Sequence, residues 1–242
     1  MENGFLSKLN IYDVLGYLIP GFLGLYAIDI LTTSLFDLPI NLKSPNQVIL
    51  TTVYFCGALF MGIVLHEVSQ IMEEKFYIRI WSGFPSQRFL NEDNSKYSNQ
   101  MKRNLKEAAA DLFKIEIGDI TRSQEIFNLF YSKLQTLGKD GMIQNFNAQY
   151  GMVRNLLAGI LMINLSLVIS TVIYIYRNHH VPAKEIWLIG LGIVLICILS
   201  RRLRRFGERF ADYVIRGFYI YYTEQKRTSM QENNKTSEKS QS

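Results

Sequence analysis

From Asn155 to Tyr176 the chain runs without a single charged side chain. An α-helix needs about 20 mostly apolar residues to cross the hydrocarbon of a bilayer, and a backbone placed there must satisfy its own N–H and C=O groups. Loops and open strands fail that requirement, which leaves helix. A second stretch, Val48 to Leu65, reads VILTTVYFCGALFMGIVL and is equally uncharged until His66 and Glu67 end it. Two further stretches, about Ile11 to Leu31 and Ile186 to Ser200, complete four predicted transmembrane helices. The first is the least regular: Pro20, Gly21 and Gly24 lie inside it, and Asp13 and Asp29 stand near its ends. The fourth is short, and Trp187 near its start fits an interfacial aromatic belt.

The average composition, 48% apolar and 19% charged, conceals two populations, because the charge sits almost wholly in a central segment and a C-terminal tail. Lys and Arg are retained on the cytoplasmic side of span ends, so their distribution reports orientation. Lys8 precedes the first span, twelve basic residues lie between Ile71 and Arg154, and ten follow Ser200. The other two loops hold only Lys43, Arg177 and Lys184. The expected architecture is all-α and polytopic, with four transmembrane helices, both termini inside and a small helical cytoplasmic domain between spans 2 and 3. The densest marker is Arg201, Arg202, Arg204 and Arg205, directly after the last apolar run. These arginines are expected to fix topology and to lie among anionic headgroups. Membrane lipids therefore account for the net charge of +5, and nucleic acid is not an expected partner.

Outside the spans, Val68, Ile71, Met72, Phe76 and Ile80 alternate with polar residues, which continues the second span as a helix until Gly83 and Pro85. A helix is expected over Met101 to Ile117, with Leu105, Ala109, Leu112 and Phe113 on one side and Gly118 as its C-cap. Asp119 or Thr121 would cap a following helix through Leu137. Gly138 and Gly141 mark a turn, and one long helix runs from Met142 to Tyr176. Leu203, Phe206, Phe210, Val214 and Phe218 recur on one face opposite Arg204, Glu208, Asp212 and Arg216, an amphipathic helix. The expected division is a first transmembrane hairpin over 1–70, a helical cytoplasmic domain over 71–152, a second hairpin over 153–200, the amphipathic helix over 201–227, and a disordered polar tail over 228–242.

Chemistry-bearing residues are sparse. Cys56 and Cys197 both fall inside predicted spans and read as small apolar fillers, not as a disulfide framework. His66-Glu67 resembles the start of H-E-x-x-H, but Gln70 stands where a second zinc ligand is needed, so the pair reads as polar groups at the helix exit. His179-His180 lies in an outer turn and lacks further ligands. No Walker, dinucleotide-binding or nucleophile-elbow motif occurs. No catalytic residue, cofactor site or metal site is assigned, and an enzyme is not expected. Asp13 reads as an inner-interface cap and Asp29 as an outer-interface residue near Thr32 and Thr33; the alternatives are a polar pore lining or a partner for His66. Pro20-Gly21 is expected to open the ladder of the first helix.

The opening Tyr12-Asp13-Val14-Leu15-Gly16-Tyr17-Leu18-Ile19-Pro20-Gly21 resembles that of small multi-pass bacterial membrane proteins of unassigned function, some of them linked with phage-defence loci. The resemblance implies a bacterial inner membrane and a membrane-acting role in defence. The expected function is a non-enzymatic sensor, effector or scaffold, with a protein partner bound through residues 71–152. Ala58 and Gly62 would permit close helix contact in a homo-oligomer. The rival functions are a small ion channel or transporter using Asp13, Asp29 and His66, and an interfacial enzyme using His66 and Glu67.

Overall fold

The computed structural model of the 242-residue chain describes residues 11–37, 47–77, 81, 83–91, 94–114, 123–139, 141–180 and 182–239; within these, the side chains of 11–13, 76–77 and 233–239 are left aside. Among the described residues there are seven α-helices and no strand: α1 (Ile11–Phe36), α2 (Gln47–Met72), α3 (Pro85–Arg88), α4 (Asn99–Phe113), α5 (Ser123–Thr136), α6 (Gly141–Asn178) and α7 (Ala183–Lys239). A π-helical turn, Glu73–Tyr77, extends α2. Four helices, α1, α2, α6 and α7, are long and apolar enough to cross a membrane. They carry the four apolar stretches expected from the sequence. The expected caps Gly118, Asp119 and Thr121 lie outside the described residues.

The chain divides into two compact units. The first comprises Met1–Tyr77 and Asn147–Phe206, and so holds α1, α2 and parts of α6 and α7. Its helices approach to backbone distance where side chains are smallest. A Cβ on Gly21 would collide with the Ala58 carbonyl, and one on Gly62 with the Tyr17 carbonyl. Ala58, expected with Gly62 to serve contacts between copies, is fully buried between α1 and α2 of one chain. The Ser34 hydroxyl of α1 is hydrogen-bonded to the Ser170 hydroxyl of α6 at 2.7 Å, and Gly192 of α7 faces the Asn164 amide. Small and polar residues thus line the inside, while large apolar ones face out: Phe60 is 70%, Val172 61% and Trp187 80% exposed. Exposed apolar faces on this scale are what hydrocarbon surroundings require and water disfavours. Cys56 and Cys197 are also exposed, on the outside and not as buried fillers, because the inner seams already hold glycine, alanine and serine.

The second unit comprises Ile78–Phe146 and Gly207–Ser242. Here the core is aromatic: Phe89, Phe127, Phe130, Phe218 and Tyr222 are buried with Leu105, Ala109, Leu134, Val214 and Ile215. Phe130 and Phe218 stack with centroids 3.8 Å apart. Residues 207–222 therefore complete a core that the sequence division assigned to 71–152 alone. A segment of about eighty residues buries too little on its own, and a second amphipathic surface closes it. The buried face of α7 follows the expected spacing at Val214 and Phe218. Ser98 caps α4, its Oγ accepting the Met101 N–H at 3.2 Å. That helix ends at Phe113 instead of Ile117, with Lys114 left-handed (φ 57°). Gly138 takes the positive φ of 65° that its turn demands. The expected disordered tail is instead helical from 228 to Lys239. Neither Gly nor Pro follows Gly217 to stop the helix, and Glu, Gln, Lys and Met propagate it.

Candidate functional site: a buried polar cluster joining three apolar helices

Pro20 has no N–H, so the carbonyl of Gly16 one turn earlier loses its helical partner. In an apolar interior that carbonyl must find another donor. The fully buried Pro20 stays within a single helix, and the donor is Asn155 of α6, whose Nδ2 lies 3.0 Å from the Gly16 oxygen. A carbonyl only accepts, which fixes the orientation of the Asn155 amide. Its Oδ1 then faces the Ser69 hydroxyl of α2 at 2.9 Å. That hydroxyl also lies 2.7 Å from the His66 carbonyl, so its one proton is shared between two acceptors. Asn155 and Ser69 are each 2% exposed, and one amide joins α1, α2 and α6.

Next to it stands an ion pair. Arg154 Nη1 donates to Glu73 Oε2 at 2.8 Å, with the two side chains only 12% and 8% exposed. The Tyr150 hydroxyl donates to the other oxygen, Glu73 Oε1. Glu73 opens the π-helical turn, a local widening of the helix that re-aims side chains. Removing one member of such a pair leaves a buried charge and costs about 3–5 kcal/mol. Arg154 Nε is buried without a hydrogen bond.

His66 lies between the amide and the ion pair. Its Nδ1 is 3.3 Å from Arg154 Nη2 and 3.3 Å from Asn155 Nδ2. Both neighbours are donors, so Nδ1 accepts and the ring proton sits on Nε2. Nε2 lies 3.0 Å from the amide group of Gln70, whose nitrogen is the nearer atom, and turning that amide end for end presents its oxygen as the acceptor. The Tyr17 ring packs against the imidazole at 5.3 Å between centroids. Both ring nitrogens are thus engaged within the cluster, while Glu67 is exposed.

Of the residues singled out from sequence, the cluster gathers His66 and, through the Gly16 carbonyl, Pro20. Gly21 serves the α1–α2 contact. Asp29 lies thirteen residues beyond Gly16, about 20 Å along α1, and is not among the partners of His66; its surroundings include Thr32, whose hydroxyl donates to the Asp29 carbonyl at 3.1 Å. The side chain of Asp13 lies outside the described residues. His179 and His180 are exposed, and no group of three or more His, Cys, Asp or Glu among the described residues gathers as a metal site. Arg201, Arg202, Arg204 and Arg205 are exposed on α7. Ser69, Tyr150, Arg154 and Asn155 carry the cluster but were not singled out as site residues. The available signal is Arg154-Asn155 at the edge of an otherwise uncharged run.

No family model, curated protein or solved structure matches this chain.

Proposed function

We propose that the protein is a non-enzymatic membrane effector or scaffold in which the buried cluster latches the four-helix unit, and that the helical unit of 78–146 and 207–242 receives the signal. One observation carries this reading: the Glu73–Arg154 ion pair of the cluster joins α2 and α6 within about two helical turns of the chain positions, Tyr77 and Asn147, where these helices leave the first unit. A partner acting on the second unit pulls first on these segments. The charge distribution supports placing that unit and both termini in the cytoplasm. The resemblance of the Tyr12–Gly21 opening to defence-linked bacterial proteins supports an inner-membrane location and a permeabilising role. The exposed Glu67 and the full engagement of His66 do not favour the interfacial-enzyme reading.

Dye efflux from liposomes containing the full-length protein tests the latch. Arg154→Met is expected to raise basal efflux over the native chain. A variant that inserts normally and leaks no more than the native protein contradicts it.

A further inference from the structure

His66 is the only imidazole of the cluster, and the groups around it suit the neutral ring. On α6, Arg154 Nη2 and Asn155 Nδ2 each lie 3.3 Å from Nδ1, and both are N–H donors. Neither can change its role. A guanidinium has no acceptor, and the Asn155 amide is held in place by the Gly16 carbonyl at one end and the Ser69 hydroxyl at the other. On α2, Gln70 meets Nε2, and on α1 the Tyr17 ring packs against the imidazole. The charges that act on the ring are Arg154 of α6 and Glu67 and Glu73 of α2.

A proton added at Nδ1 therefore points an N–H at two other N–H groups and sets a second positive charge against the guanidinium 3.3 Å away. The two carboxylates offer it no alternative in place. Both oxygens of Glu73 are engaged, one by Arg154 and one by the Tyr150 hydroxyl, and Glu67 is exposed, where water and salt screen its attraction. His66 is half-buried and Gln70 is exposed, so the ring stands at the edge of the cluster and not in its centre. If the ring leaves, Arg154 Nη2 loses an acceptor in a side chain whose Nε already has none. The contact between α2 and α6 then keeps the Glu73 pair and the Ser69–Asn155 bond but loses its third link. We propose that His66 is a proton-operated release for the latch: the neutral ring holds α2 to α6, and its protonation on mild acidification expels the ring and loosens the four-helix unit. The inference rests on the latch reading above and deepens it by adding a stimulus that acts directly on the membrane unit. The closed state is complete at neutral pH and above, and is lost as pH falls.

Efflux of a pH-insensitive, self-quenched sulforhodamine from liposomes holding the full-length protein, with the same pH on both sides, tests this. The quantity read is the ratio of efflux at about pH 5.5 to that at about pH 7.5, either side of the ordinary imidazole value. The native ratio is expected to be about tenfold, the shift produced by a ligand that binds one of two states tenfold more tightly than the other. His66→Asn keeps an acceptor near the Nδ1 position but cannot titrate, and its ratio should be close to one whatever its absolute leak. Glu67→Gln should keep the native ratio. A native ratio near one, an undiminished ratio in His66→Asn, or a ratio lost in Glu67→Gln overturns the proposal. Arg154→Met separates the two readings: if it leaks at both pH values while the native ratio stays near one, the latch stands and only the proton release fails. If Arg154→Met does not leak, the latch itself is contradicted.

Discussion

Asn155 supplies to α1 the hydrogen bond that Pro20 withholds from it. The two residues are 135 positions apart in sequence, yet the Gly16 carbonyl links them. Asn155→Leu should therefore cost about 1–3 kcal/mol, the penalty for a buried acceptor left unpaired. Pro20→Ala restores the N–H that Gly16 lacks. In the Asn155→Leu background it should recover part of that loss, a coupling readable from thermal unfolding of the four variants in detergent. Additive losses contradict the link. Arg154→Met should be the more severe change, about 3–5 kcal/mol, because Glu73 is left charged and buried. Adding Glu73→Gln should return much of it. These partners were only half legible in the sequence. His66 and Pro20 stand out by type, but the visible neighbour of His66 is Glu67, and adjacency along a helix points the two side chains apart. Its true partners, Arg154 and Asn155, arrive from another helix 88 and 89 residues away.

At the scale of elements, the α1–α2 seam depends on what is missing from Gly21 and Gly62. Gly62→Ala should weaken the unit by about 1–3 kcal/mol through overpacking against the Tyr17 backbone. Gly190→Ala, on α7 with nothing within 4 Å of an added Cβ, should leave melting unchanged or raised. Equal effects of the two changes contradict the seam. In the other unit, burial and the neighbouring Asp212 carboxylate raise the Tyr97 phenol above its ordinary value of 10.0. The unfolded chain then releases this proton first, so the stabilisation is complete below about pH 10 and fades as pH rises further. Melting temperature should fall as the pH rises above about 10 in the native protein and fall less in Tyr97→Phe. Element existence was readable because lack of charge and apolar periodicity are local signals. The C-terminal tail was misread because its polar composition says nothing of burial, whereas its helix continues for want of a breaker.

For the whole molecule, the sequence made the four apolar helices and their charge asymmetry visible. It did not reveal that residues 207–222 close the same core as 89–143. Such packing is long-range, and an amphipathic face shows that something covers it without showing what. The central claim is a four-span chain whose helical unit and C-terminus share one side of the membrane. Cys56 and Cys197 are exposed and replaceable by Ser without opening a core. On that background, single cysteines at Arg103, Lys184 and Ser229, all exposed, are labelled in sealed vesicles of known orientation with a membrane-impermeant maleimide. Positions 103 and 229 should react from the same face and 184 only from the opposite one; labelling of 184 together with 103 contradicts the four-span arrangement.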